Sequence, residues 1–208
     1  MNTLQLLIIG AVGVSLIVTF VMRMPSASRS RARKLLAQAE WLDDEAADGA
    51  FVKIRGVVKV RTQGERFLSP ITKIRCVAMR LRAAVRHGSN PRSKLVESIK
   101  VMPFLIEDED GSIPIEATAA ELDIAPFKSA KWKPEDKRQL LIELGHATAN
   151  ADASHVDETL VEVGQTVTVA GKLHKSETEP KLRLVGDADH PIAITIERAR
   201  DRDLTADP

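Results

Sequence analysis

The chain of 208 residues has one cysteine, no tyrosine, and only five Phe and two Trp. The single Cys76 excludes both an intrachain disulfide and a four-cysteine zinc centre, and it fits a reducing compartment. Scarce aromatic rings weaken any function that stacks bases or sugars. Nor does one sign of charge dominate: 30 basic residues face 29 acidic ones, so no net field is available to hold nucleic acid, and none is expected as a partner. Catalytic motifs are lacking too, with no Walker phosphate loop, dinucleotide glycine motif, H-E-x-x-H helix or G-x-S-x-G elbow. His87, His146, His155, His174 and His190 are scattered without an i, i+4 pair and read as solvated side chains. The acidic run 107–110 before Gly111 fails as a calcium loop, because Ile106 falls at the first ligand position and Ala117 at the last. It reads as a hairpin tip. No metal and no cofactor is expected.

What the sequence does have, at its start, is a long apolar run. Residues 3–22 hold twenty positions without a charge, twelve of them Leu, Ile, Val or Phe, and Arg23 follows directly. At the helical rise this spans ~30 Å, one hydrocarbon thickness. The expectation is a transmembrane anchor over 1–22. A cleaved signal peptide fits less well, since no Lys or Arg occurs in the first 22 residues and 25–28 (Pro-Ser-Ala-Ser) makes a poor exit. A buried soluble helix would seldom be apolar all round for so long. Arg23, Arg29, Arg31, Arg33 and Lys34 crowd the far side of the run. The positive-inside bias then places the soluble part in the cytoplasm, single-pass on the inner (plasma) membrane. The same five residues are expected to meet anionic head groups at the membrane surface.

Residues 23–49 read as a basic juxtamembrane linker and a helix over 31–47, with Leu35, Leu36, Ala39 and Leu42 at helical spacing and Gly49 as its stop. Its charges run the wrong way for the helix dipole, Arg and Lys first and acids last, so packing or a membrane must hold it. From residue 50 the texture changes to short Val- and Ile-rich runs with period-two alternation: 51–60, 74–85, 95–106, 113–117, 159–163, 166–175, 181–185 and 192–197. Asp110-Gly111 signals a tight hairpin with both central residues at positive φ, and Pro103 marks an edge or bulge. A helix is expected over 134–144, a loop over 145–157 and a charged tail over 198–208. Two stretches echo one another: Gly49-x-x-Val52-x-Ile54-x-Gly56-x-Val58 and Gly164-x-x-Val167-x-Val169-x-Gly171-x-Leu173. Glycine inside a strand marks a bend that lets a small sheet curl. The expected fold is therefore a membrane-anchored, β-rich α+β chain. After the transmembrane helix and an amphipathic helix, residues 50–197 form a compact antiparallel sheet or small OB-like barrel with one inserted helix. A chance match between two ordinary strands is the competing reading of the echo.

An ordered set of motifs carries a resemblance. Gly56-Val-Val-Lys-Val60 is followed by Leu68-Ser69-Pro70-Ile71-Thr72 leading to Cys76, then Pro103-Phe104 with Glu107-Asp108 before Gly111. Glu158-x-x-Val161-x-x-Gly164-x-x-Val167-x-Val169-x-Gly171 completes it. Over residues 50–197 this series resembles the GIDE ("beside a membrane") domain of mitochondrial RING ubiquitin ligases and their bacterial relatives. The resemblance implies a membrane-side domain with an upstream span. Two departures limit it: Lys73 and Arg75 stand where the family carries Gly and Pro, and the family's second span and cysteine-rich RING are missing. Ubiquitin transfer is accordingly not carried over.

Cys76 lies in an alternating run and reads as a small core residue; a distant histidine partner would make it a nucleophile. Ser69, Pro70 and Thr72 carry turn chemistry at a strand entry, where scaffolds place binding residues. With Phe104 and Asp108, motif residues of the resemblance, they form the candidate binding set. The leading expectation is a non-enzymatic, membrane-tethered recognition module for an unidentified protein partner or small ligand. The alternatives are a membrane-bound enzyme, or ligase-related protein, with Cys76 or carboxylates gathered by the fold, and an envelope scaffold packing through Gly10 and Gly13.

Overall fold

The computed structural model describes residues 27–61, 67–87, 93–124, 127–128, 134–146, 151–178 and 180–196. In chain order it begins with α1 (Ala27–Gln38), β1 (Glu40–Trp41), β2 (Phe51–Lys59), β3 (Phe67–Leu68) and β4 (Arg75–His87). Next come β5 (Lys94–Val101), β6 (Phe104–Glu107), β7 (Ser112–Ala117), β8 (Ala120–Asp123) and β9 (Phe127–Lys128). Helix α2 (Pro134–Glu143) precedes β10 (Ala151–Glu162), β11 (Thr166–Lys175), β12 (Leu182–Gly186) and β13 (Ile192–Ile196).

Strands β2, β6, β7, β12 and β11 pair in that order, and β11 pairs back onto β2, closing a five-stranded barrel. The β7–β12 pair is parallel and the other four are antiparallel, a Greek-key barrel of the OB type. Period-two alternation fills it. Val52, Ile54 and Val58 of β2 meet Val167, Val169 and Leu173 of β11, with Phe104, Ile106, Ile115 and Leu184 from the other strands, all buried. Each such side chain contributes roughly 1.5–3 kcal/mol by leaving water.

The sequence echo is a pairing. β2 and β11 lie side by side, with Val52 opposite Gly171, Ile54 opposite Val169 and Gly56 opposite Val167. The turns leading into them match as well. Gly49 (φ 82°) donates its N–H to Leu173 O at 2.8 Å, and Gly164 (φ 90°) donates to Val58 O at 2.8 Å. Leu173 N–H returns a bond to Ala50 O at 2.8 Å, as Val58 N–H does to Gln165 O at 2.9 Å. The two copies are thus related by a local two-fold axis through the strand pair.

A second sheet packs against the barrel core through Val77, Ala78 and Val161. β4 is its spine, paired with β10 on one side and with β3 and β5 on the other, while β9 adds to β10. Opposite it, Val161 faces Ala78 and the next residue Glu162 faces Cys76, so Val77 is the extra residue of a β-bulge. The bulge lets one strand serve two cores. Val77 and Ala78 both join the barrel core, whereas Cys76, Met79, Leu81, Ala83 and Val85 pack with Leu140 and Leu141 of α2. Arg80, on the barrel side, is buried and donates to Leu122 O at 2.9 Å, Ile124 O at 3.2 Å and Thr159 Oγ1 at 3.0 Å. It ties β8 to the second sheet, and burial pushes its guanidinium below its ordinary pKa.

Several expectations are corrected. The expected fold class, a membrane-anchored, β-rich α+β chain with a transmembrane helix and an antiparallel sheet or small OB-like barrel, is corrected: the described residues are β-rich with few helices, and their pairing around the closed five-stranded barrel is mixed. β1–β2, β7–β12 and β8–β13 are parallel pairs, because returning segments and not hairpins bring those strands together. Among the described residues no helix is long and apolar enough to cross a membrane. The span expected over 3–22 and the charged tail expected over 198–208 both lie outside the described residues. The first described helix covers 27–38 and not 31–47, since Asp43, Asp44 and Glu45 would oppose its dipole and the chain turns instead into β1. The run 95–106 is split at Met102-Pro103 into β5 and β6, strands of different sheets. In the 108–111 turn Gly111 alone has positive φ, and Asp108 caps the loop by accepting from Asp110 N and Gly111 N, each at 3.0 Å. The expected loop 145–157 is strand from Ala151, made so by pairing with β4.

Candidate recognition cleft

Ser69 and Thr72 are brought together, but by a buried carboxylate. The loop between β3 and β4 is closed by Ser69 N–H on Ile74 O at 2.9 Å, and Lys73 turns it at φ 58°. Glu158 of β10, with no exposed surface, receives Ser69 Oγ at 2.5 Å, Thr72 Oγ1 at 2.7 Å and Thr72 N at 3.2 Å. Ser69 Oγ also accepts from Thr72 N at 3.0 Å. Ser69 and Pro70 are buried, so this part of the candidate set clasps the fold together and offers little surface.

Cys76 lies beside that clasp. Burial first, and then the charges of Glu158 and Glu162, push its thiol up to about 12. Such a thiol keeps its proton at neutral pH and is a poor nucleophile. Phe104 is fully buried among the barrel side chains.

The basic cluster meets protein acids. Arg29 and Arg33, one helical turn apart, reach the two oxygens of Asp123 at 2.8 and 2.9 Å, and Arg31 reaches Glu121 Oε1 at 3.2 Å. Lys34 is exposed and Arg23 lies outside the described residues. These pairs, with Ala32 and Ala39 set against Ala170 and Ala193, hold α1 on β8, β11 and β13 despite its unfavourable dipole.

Asp108 leads to a different place. It borders a cleft of about 580 Å³ beside the first half of β2, walled by 41–44, by the β6–β7 turn and by the β11–β12 turn with Lys175 and Lys181. Leu42, Ile54, Ile113 and Leu182 give it apolar surface, while Asp43, Asp44, Asp108, Asp110, Lys53, Arg55, Lys175 and Lys181 supply charge of both signs. This size and mixture suit a small ligand or a peptide side chain. Trp41 stands 55% exposed in the wall, with Lys53 Nζ 5.0 Å from its ring centroid.

Neither Trp41 nor Lys53 belongs to a motif, and Trp41 falls inside the helix expected over 31–47, so no local signal marks them. Among the described residues, no group of three or more His, Cys, Asp or Glu is placed to hold a metal. No family model, curated protein or solved structure matches the chain. The resemblance to the GIDE domain therefore rests on its ordered residues.

Proposed function

We propose that the chain is a non-enzymatic recognition module that binds a protein partner or small ligand in the cleft beside β2. The observation that carries the reading is the exposed Trp41 with Lys53 over its ring, in the wall of a cavity of ligand size with apolar surface and charges of both signs. The protonated thiol of Cys76 and the full burial of Ser69 support a reading without nucleophilic chemistry. The GIDE-like order of its motifs agrees with a binding role.

Trp41 provides the test. In a full-length chain carrying Trp132→Phe, Trp41 is the sole indole, and its emission reports on the cleft. A library of short charged peptides and small zwitterions should yield at least one saturable change in emission, weakened about ten-fold or more by Lys53→Ala, the equivalent of ~1.4 kcal/mol. A library without any saturating member, or saturation unaffected by Lys53→Ala, rejects the cleft. Turnover that disappears in Cys76→Ala would replace the binding module with an enzyme.

A further inference from the structure

We propose that residues 27–44 form one charge-latched strap, and that release of α1 from β8 carries the Trp41 wall away and opens the cleft. The inference rests on the cleft being the recognition site and concerns how that site is regulated.

The helix is intrinsically poor. Three arginines stand in its first two turns, against the positive end of the dipole, and Arg29 and Arg33 are like charges at i, i+4. Its apolar hold is thin, with Ala32 and Ala39 meeting Ala170 and Ala193 while Leu35 and Leu36 are only partly buried. The acids of β8 therefore decide whether it forms. Asp123 alone neutralises two arginines, so one carboxylate carries two of the three ion pairs. The latch is also incomplete: Glu121 is buried, and its Oε2 has no hydrogen-bond donor among the described residues. An under-satisfied buried acid favours a seat that the helix can leave.

The link from latch to cleft is short. Lys53 donates to Leu36 O in the last turn of α1 at 3.3 Å, and the same ammonium lies over Trp41. Two residues of β1 then pair with β2, and Leu42 N–H bonds Lys53 O at 3.0 Å before the chain enters the cleft wall. A two-residue parallel pairing has little stability of its own. The next firm anchors are Asp48, whose Oδ1 accepts from Lys175 N–H at 2.7 Å, and Gly49, bonded to Leu173 O at 2.8 Å with φ 82°, which makes 45–47 the natural hinge.

Amide-resolved hydrogen exchange on the full-length protein tests the coupling without any ligand. In Asp123→Asn, the amides of α1 are expected to lose protection about ten-fold, and the Leu42 amide to lose it in parallel, while those of Val58 and Leu173 stay protected. Loss in α1 with an unchanged Leu42 amide overturns the strap, because helix and cleft wall then move separately. Unchanged protection in α1 overturns the latch. Should Asp123→Asn loosen Val58 and Leu173 as well, Arg29→Gln with Arg33→Gln removes the same two pairs from the helix side, and its outcomes decide in the same way. A cleft that binds nothing leaves these exchange results untouched, so failure of the recognition reading and failure of the strap are told apart.

Discussion

β2 and β11 carry the same glycine-marked pattern and pair with one another, yet their inner glycines meet different surroundings. A Cβ on Gly56 would run into the carbonyl O of Glu107 and come within 2.6 Å of Ile106 Cγ2. A Cβ on Gly171 would find Ile192 Cγ2 at 3.2 Å, Val185 O at 3.3 Å and Leu184 Cβ at 3.4 Å. The first glycine lets two backbones touch and has no substitute; the second sits where neighbours can yield by a few tenths of an ångström. Sequence similarity between the copies thus reports shared pairing geometry, while their tolerance is set by what lies behind each strand.

Gly56→Val should accordingly have the largest effect, a loss of at least ~3 kcal/mol or failure to fold, because a backbone carbonyl cannot rotate out of the way within the barrel. Urea denaturation against the native chain measures it. The elements leading into the two copies differ next. The second copy follows β10, whose Glu158 is the acceptor for two hydroxyls and an amide, so Glu158→Ala should cost about 2–4 kcal/mol by leaving Ser69 and Thr72 unsatisfied. Gly171→Ala should cost only about 1 kcal/mol, and a penalty equal to that of Gly56→Ala would erase the difference between the copies. The first copy follows the strap, where Arg31 and Arg33 stay in solvent and neither pair enters the barrel core, so Asp123→Asn should change global stability by less than ~1 kcal/mol while it frees α1.

Cys76, opposite Glu162 at the approach to the second copy, gives a pH signature. The native thiol holds its proton to about 12, whereas an ordinary one releases it near 9.0. Because the native pKa is the higher, the stabilising difference is complete below about pH 9 and is lost as pH rises toward 12. Wild type should therefore lose stability against Cys76→Ala over that interval and show no change in the difference below it. Alkylation of Cys76 should be slow in the native chain and fast after unfolding.

The strands of the barrel were legible where a period of two survives: β2 is buried at alternate residues, and β11, though covered on both faces over 167–171, keeps Val167, Val169 and Leu173 at that spacing. The glycine echo marked two strands as alike, but that they pair with one another is seen only in the fold. Less legible were segments whose structure depends on a distant partner. β10 begins in a stretch of Ala, Asp and Ser with no alternation of its own and is strand because β4 lies beside it. β8 and β1 are too short to carry a period, and β8 is held by Arg80 and β13. The Leu-Ser-Pro-Ile-Thr segment stands out in the sequence for its turn chemistry, but nothing local announces that its hydroxyls turn inward to a carboxylate 86 to 89 residues away. Trp41 escaped notice because a solvent-facing indole has no pattern; only the cleft around it gives it meaning.

The bulge at Val77 makes the length of β4 as much a specification as its composition. A straight strand through these residues would turn Arg80 and Arg82 toward α2 and Met79 and Leu81 toward the polar seam beneath β8. Deleting Val77 keeps the two faces in phase and removes one side chain from the barrel. Deleting a residue between Met79 and Val85 inverts one flank of the strand against the other, setting guanidinium groups where α2 offers leucines. Descendants of this sequence can therefore shorten β4 at its bulge but not along Met79–Val85.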